Sequence, residues 1–378
     1  MTAQLTTPPL APPADPARPG VRPRVLVISG SVGAGHDGAA NELAARLAVE
    51  GAEVVVRDFL DAVPHLVARF LRDGYTGSVT HVPYAFEYLF RRLERRGLLW
   101  RVEQALCAAA APAMSSWVTD VRPDVVVSTY PLASQTLGAL RLDGRLGAPA
   151  MTYLTDPAVH ASWLHPGVDA HLTVTAATAA QGALDYGRPF TLAGPLVPSR
   201  FGAPLPLDVL VDVRRELGLT AGPPVVLIVA GSLGLGDLLP TVRDVAAAGL
   251  TPLVLCGRNA ALRRRVAAEP GTVALGWRTD VHRLMQVADV LVHNAGGLSC
   301  TEAWVAGLPT VTYRPIPGHG RANARVLHEA ALAPWARTPA ELAHCLRAAL
   351  GRDRTPPALG DPTSVVLAAL LPSAVGVA

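Results

Sequence analysis

The sequence contains no lysine; all 33 of its cationic Lys/Arg positions are arginine. That reads as a bias of composition rather than a mark of function. Cysteine is scarce: Cys107, Cys256, Cys300 and Cys345 stand far apart, with no Cys-x-x-Cys pair. Such spacing gives no disulfide framework and reads as free thiols in a reducing cytoplasm. No apolar run reaches the roughly 20 residues of a membrane span; the nearest, Ser364 to Ala378, is short and interrupted by Pro372. Residues 1–22 lack a basic-then-apolar signal pattern, and their Pro, Ala and Thr content reads as a disordered tail. No Asp-x-Asp marks a divalent-ion site, and a net charge of +3 is too mild to argue for nucleic acid. Aromatics are only 5% of the chain, so a cluster of them is informative.

What is present is a globular composition, 50% hydrophobic and 17% charged over 378 residues, long enough for two domains. The run Arg24 to Ser29 reads as a buried parallel strand. It enters a turn with glycines at 30, 33 and 35, followed by an Ala-rich helix from about Gly38 to Val49 and a strand from Ala52 to Asp58. Further strand-like runs end near Thr129, Thr155 and Thr175. A proline-rich stretch, Pro189 to Pro206, reads as a linker. The pattern then restarts at Pro224 to Ala230 with a second glycine turn, Gly231 to Gly236. Strands follow at Thr251 to Cys256, Thr272 to Gly276, Asp289 to His293 and Pro309 to Tyr313. The expectation is an α/β protein of two doubly wound domains facing across a cleft, with ligand at the carboxyl ends of the strands. The boundaries are a tail at 1–22, a first domain at 23–198, a second at 199–355 and a C-terminal tail or helix at 356–378.

The segment from Asn294 to Pro309 carries the strongest signal. Gly296, Gly297 and Ser299 open a helix whose free N–H groups suit a phosphate, and Glu302 lies one turn further in, placed for ribose hydroxyls. Gly231 and Ser232 are read as a second helix opening for a diphosphate. Gly257, Arg258 and Asn259 end a strand in the same cleft. His319 and Asn323, four apart, are placed to face one ligand from a helix start. In the first domain, His36 sits at a helix start, where the dipole favours the neutral imidazole that a general base needs. The turn is G-x-x-G-x-G, and Asp58 ends the next strand, so a dinucleotide-binding dehydrogenase is the competing reading. Asp156, His160 and Trp163 follow a strand and read as the lining of an acceptor site rather than as metal ligands. Between Phe59 and Ala108, Phe86, Tyr88, Phe90 and Trp100 gather with Arg91, Arg92, Arg95 and Arg96. The arginines share one broad helix face, which suits an anionic membrane surface or, equally, solvent.

Taken together, these pieces resemble the inverting GT-B glycosyltransferases that include monogalactosyldiacylglycerol synthase and the processive diacylglycerol glucosyltransferases. The resemblance rests on Gly33-Ala34-Gly35-His36 with Ala39-Ala40, Thr155-Asp156 with His160 and Trp163, and Cys256-Gly257-Arg258-Asn259. It is completed by Gly296-Gly297-Leu298-Ser299 with Glu302-Ala303, Gly307-Leu308-Pro309, and Pro317-Gly318 with Asn323. It implies a GT-B fold whose first domain binds a lipid acceptor and whose second binds a UDP-sugar. It implies His36 as base, Gly33, Gly35, Asp156, His160 and Trp163 on the acceptor side, and the second-domain residues above at the donor. No cofactor or metal beyond the donor substrate is expected, and no nucleic acid. The location expected is the inner face of the cell membrane. The family often has Lys where Asn294 stands, and Gln-Glu where His319-Gly320 stand. A transferase acting on a soluble natural product, and a catalytically degenerate nucleotide-sugar or lipid-binding protein, are the alternative readings.

Overall fold

The computed structural model describes residues 22–72, 97–219, 222–232, 234–236, 238–354 and 360–370. Two six-stranded parallel sheets organise it. The first holds β1 (Arg24–Ser29), β2 (Glu53–Asp58), β3 (Val125–Ser128), β4 (Ala150–Tyr153), β5 (Ala170–Thr173) and β6 (Thr191–Leu192), in the order β2-β1-β3-β4-β5-β6. The second holds β7 (Val225–Val229), β8 (Thr251–Leu255), β9 (Val273–Leu275), β10 (Val290–His293), β11 (Thr310–Tyr313) and β12 (Trp335–Ala336), in the order β12-β11-β10-β7-β8-β9. The central strands read Val-Leu-Val-Ile and Val-Val-Leu-Ile-Val because helices cover both faces, so side chains on either side of the sheet are buried.

The helices of the first half include α1 (Ala34–Val49), α2 (Leu98–Val121), α3 (Pro131–Leu142) and α4 (Ala176–Tyr186), and residues 65–72 are also helical. Those of the second are α5 (Leu207–Glu216), α6 (Leu238–Ala247), α7 (Ala260–Ala267), α8 (Val281–Val287), α9 (Gly297–Val305), α10 (His319–Glu329) and α11 (Pro339–Leu350). Their starts carry local signals. Thr175 caps α4 by accepting from Thr178 N, and Thr338 caps α11 by accepting from Glu341 N. Gly187, at φ 62°, ends α4 in the left-handed conformation. The last helix, α12 (Pro362–Ala368), returns to the first domain, where Val366 is buried beside Val25 and Val27. Of the stretch expected as a tail or helix, Pro362–Ala368 is therefore a docked helix. No helix among the described residues is long and apolar enough to cross a membrane.

In each sheet the crossover direction reverses beside the first strand of that half, between β1 and β3 and between β7 and β10. Loops leaving the carboxyl ends of these pairs part there and open a crevice. The two crevices face each other. Two differences from the sequence expectation concern strands: β6 lies inside the stretch read as a linker, and β12 was not foreseen. Each is a two-residue edge strand, too short to show a hydrophobic period.

Candidate active site

Loops at the two switch points enclose a cleft of about 610 Å³ lined from both domains. On the first-domain side it meets Gly33, Gly35, His36, Thr155 and Asp156. His36 lies in the first turn of α1, and its Nδ1 is 2.7 Å from the carbonyl oxygen of Thr129, at the end of the neighbouring β3. A carbonyl only accepts, so Nδ1 carries the proton and Nε2 keeps its lone pair. Thr155 Oγ1 lies 3.1 Å from the same Nδ1, and Thr129 Oγ1 donates to His36 O at 3.0 Å. Burial lowers the imidazole pKa below its ordinary 6.5, against the pull of Asp156 and Asp37 and the bond to Thr129. The ring is therefore neutral, tautomerically fixed and basic at Nε2.

Asp156 sits at the centre of a polar cluster. Its Oδ2 accepts from Trp163 Nε1 at 3.3 Å and lies 3.7 Å from His160 Nε2, and its Oδ1 accepts from Asn323 Nδ2 at 3.1 Å. Burial alone would push its pKa up; the hydrogen bond from His160 and the histidines 319, 160 and 36 hold it well below the usual carboxylate range. The acceptor-side residues thus divide. Gly33, Gly35 and Asp156 face the cleft, whereas Trp163 is fully buried and His160 stands behind Asp156. Trp163 was expected to line the acceptor site; it instead fills the core beneath Asp156 and orients that carboxylate. Among the described residues, no three His, Cys, Asp or Glu side chains converge as metal ligands would.

The dehydrogenase reading needed Asp58 to be available for a ribose. Its Oδ1 instead accepts from Ser31 N at 3.2 Å and Leu60 N at 2.9 Å, fixing the turns on either side of the β1–β2 edge.

On the second-domain side the cleft meets Gly231, Ser232, Gly257, Gly296, Gly297, Ser299, Glu302 and His319. Gly257, at φ 59°, has no room for a Cβ because the carbonyl of Ser232 fills that space, so the turns after β7 and β8 stack. Gly231 and Ser232 do not open a helix as expected: α6 begins only at Leu238, and the intervening turn is wound through further glycines. Asn259 is not at the cleft; its Oδ1 accepts from Leu262 N at 2.9 Å and caps α7. Arg258 lies outside the cleft lining, with its guanidinium 4.6 Å from the centroid of the Trp277 ring. Glu302, in the second turn of α9, is pushed up to about 8 by burial, partly offset by Arg200. His319, at the start of α10, is lowered by burial, an effect opposed by Asp156. Asn323 was expected to face the same ligand but is fully buried, with its side chain bonded between the domains.

Sequence reasoning missed Trp277, Arg278 and Thr279, which close the cleft beyond β9. Trp277 is 46% exposed there, giving the cleft a flat apolar wall of the kind on which a planar base stacks. A rare aromatic directly after Leu275-Gly276 at a strand end was the available signal. The residues 86–96 offered as a membrane face lie outside the described residues. Trp100 is half-buried near the start of α2.

The domains touch at Gly297. A Cβ on this residue would overlap the carbonyl oxygen of Thr155, whereas Gly296 beside it has open space. Gly297→Ala is therefore expected to wedge the cleft open and lower turnover at least about tenfold, a barrier of roughly 1.4 kcal/mol, with Gly296→Ala much milder. Equal effects of the two substitutions on steady-state turnover would contradict this.

Two doubly wound domains closing their switch points on one cleft make this a GT-B fold, the architecture of a class of glycosyltransferases. The glycosyltransferase SnogD from Streptomyces nogalater matches it with a TM-score of 0.51 at 19% identity, covering 92% of this chain and 98% of that one. The family model for monogalactosyldiacylglycerol (MGDG) synthase matches residues 36–188. The processive diacylglycerol beta-glucosyltransferase of Bacillus pumilus is 27% identical over 220 residues, 55% of each protein. Monogalactosyldiacylglycerol synthase 1 of Arabidopsis thaliana is 26% identical over 356 residues, 84% of this chain and 63% of that protein. The chain is thus similar to the MGDG synthase and processive diacylglycerol glucosyltransferase family, and it spans 55% and 63% of the length of these two relatives.

Proposed function

We propose that this protein is an inverting glycosyltransferase that moves a hexosyl group from a UDP-sugar to a diacylglycerol-type lipid. The observation that carries the reading is the pairing, across one cleft, of a neutral histidine with a fixed tautomer and a helix-start turn backed by the Glu302 carboxyl group. His36 Nε2 takes the proton of the acceptor hydroxyl as its oxygen attacks the anomeric carbon. The bond from that carbon to the diphosphate breaks, and the electron pair leaves with the diphosphate. The imidazolium formed is stabilised by Asp156, which stays ionised. The leaving charge is received by the N–H groups at the start of α9. Glu302 accepts from the ribose hydroxyls, and Trp277 offers its face to the uracil.

A lipid acceptor is supported by the names of the relatives and by an apolar surface. Leu66 and Phe70, four apart on one helical face, are 77% and 73% exposed, and Leu98 and Val102 on α2 are 76% and 51% exposed. Exposed apolar side chains on helices suit insertion at a membrane interface. The location proposed is peripheral, at the inner face of the cell membrane, and no metal or other cofactor is assigned. Sedimentation with anionic vesicles should pull the protein down, and Leu66→Ser/Phe70→Ser should weaken that binding severalfold. Protein that stays in the supernatant with and without anionic lipid would turn the reading toward a soluble acceptor. The donor assignment is tested by thermal shift against a panel of nucleotide sugars, where selective stabilisation by UDP-sugars is expected; uniform indifference to all of them would sink it.

A further inference from the structure

Asn323 is a polar side chain that ties the donor turn and the acceptor loop together. It lies in the second turn of α10, with no exposed surface. Its Oδ1 accepts from Ala158 N at 2.9 Å, and its Nδ2 donates to Asp156 Oδ1 at 3.1 Å and to Ala295 O at 3.0 Å. Two of these partners belong to the opposite domain. The third, Ala295, is a non-glycine residue held at φ 70° directly before the turn that opens α9. That conformation is unfavourable for alanine and needs support from its surroundings. On the other side, Asp156 follows Thr155, whose hydroxyl reaches His36 Nδ1 and whose carbonyl abuts Gly297. One amide therefore meets the backbone that shapes the donor turn and the carboxylate that stands beside the base.

We propose that Asn323 is a positioning residue that latches the two domains closed and, by holding Asp156 and its loop, sets His36 for proton abstraction only in the closed cleft. This rests on the reading of His36 as the base. An amide suits the task because both ends must be used at once: Ala158 offers a donor, and Asp156 and Ala295 offer acceptors. When the cleft opens, all of these groups meet water, so the latch discriminates closed from open rather than folded from unfolded. A purely structural asparagine would instead have its partners within one domain.

The test uses the full chain with Asn323→Ala and Asn323→Asp. The aspartate keeps the shape and the acceptor for Ala158 N but sets a carboxylate oxygen against Asp156 and Ala295 O. Four readouts are taken: small-angle scattering with and without UDP, UDP affinity, melting temperature, and kcat over a pH series. Both variants are expected to show a larger radius of gyration with UDP than the wild type. Their UDP affinity should stay within about threefold, since the donor residues lie in one domain, and kcat should fall at least about thirtyfold. The groups facing His36 are Asp156, Asp37, His160 and His319. In the opened variants burial is relieved, so the acid limb of kcat should move up toward the ordinary histidine value. Scattering reads closure without reference to transfer, so a failure of the transferase reading and a failure of the latch are told apart. Wild-type scattering in both variants overturns the latch. An opened cleft with unchanged kcat and acid limb overturns the positioning role. Loss of UDP binding in parallel with a large drop in melting temperature would mark Asn323 as merely structural and overturn both.

Discussion

Replacing His36 with Ala is expected to lower sugar transfer by about a thousandfold, within the range that a positioned general base contributes, while leaving UDP affinity unchanged. The asymmetry follows from the architecture: His36 is on α1, and the turns proposed to hold the donor are on the other domain. The proposed base has no substitute at its position, because Thr155 and Thr129, its immediate partners, are spent on fixing the ring. In the wild type, kcat/KM should fall on the acid side with a midpoint below 6.5, because burial lowers the imidazole pKa and the neutral form does the work. Single-turnover rates and calorimetric UDP titrations separate the two effects. A His36→Ala enzyme that transfers near the wild-type rate removes the base assignment.

Replacing Glu302 should act on the other half of the reaction. A carboxylate accepting from two ribose hydroxyls makes charge-assisted hydrogen bonds of about 1.5–3 kcal/mol each, so Glu302→Ala should weaken UDP binding by roughly 100- to 10,000-fold where the carboxyl is ionised. The pH dependence adds a signature. In the free protein burial pushes the Glu302 carboxyl up to about 8, so it is protonated at neutral pH. Ribose hydroxyls favour the ionised form, so binding must release a proton below that value. UDP affinity should therefore rise with pH and level off above about 8, by up to about tenfold per unit on the rising part. Glu302→Gln should be weak and flat across the same range. Wild-type affinity that does not change between neutral and mildly alkaline pH would contradict this role.

Much of this was legible in the sequence, for a physical reason. Strands of a parallel sheet covered on both faces are continuous apolar runs, so ten of the twelve could be read directly. Residues at the carboxyl ends of such strands line the crevice between the sheets, which is why His36, Asp156, Gly296 and Glu302 could be picked out as cleft residues. What failed was orientation. His319 and Asn323 share a helix spacing, yet the first domain's loop at Asp156–Ala158 covers the second turn of α10 and takes Asn323 out of the cleft. Trp163 and Asn259 failed likewise: each stands in a motif at a strand end, but one is packed beneath Asp156 and the other caps a helix. Local spacing shows which residues can converge; the opposing domain decides which of them remain open. Trp277 shows the converse, a single aromatic with no partner motif that contacts across space reveal as a cleft wall.

The proposed reaction is inverting transfer from a UDP-sugar to a diacylglycerol hydroxyl in this cleft. Its most direct test is to incubate the purified protein with an α-linked UDP-hexose and diacylglycerol in anionic vesicles, and to determine the anomeric configuration of the lipid product by proton NMR. A β-linked hexosyl-diacylglycerol, absent with His36→Ala, is the result predicted. An α-linked product, or hexose released to water with the diacylglycerol unchanged, would contradict it.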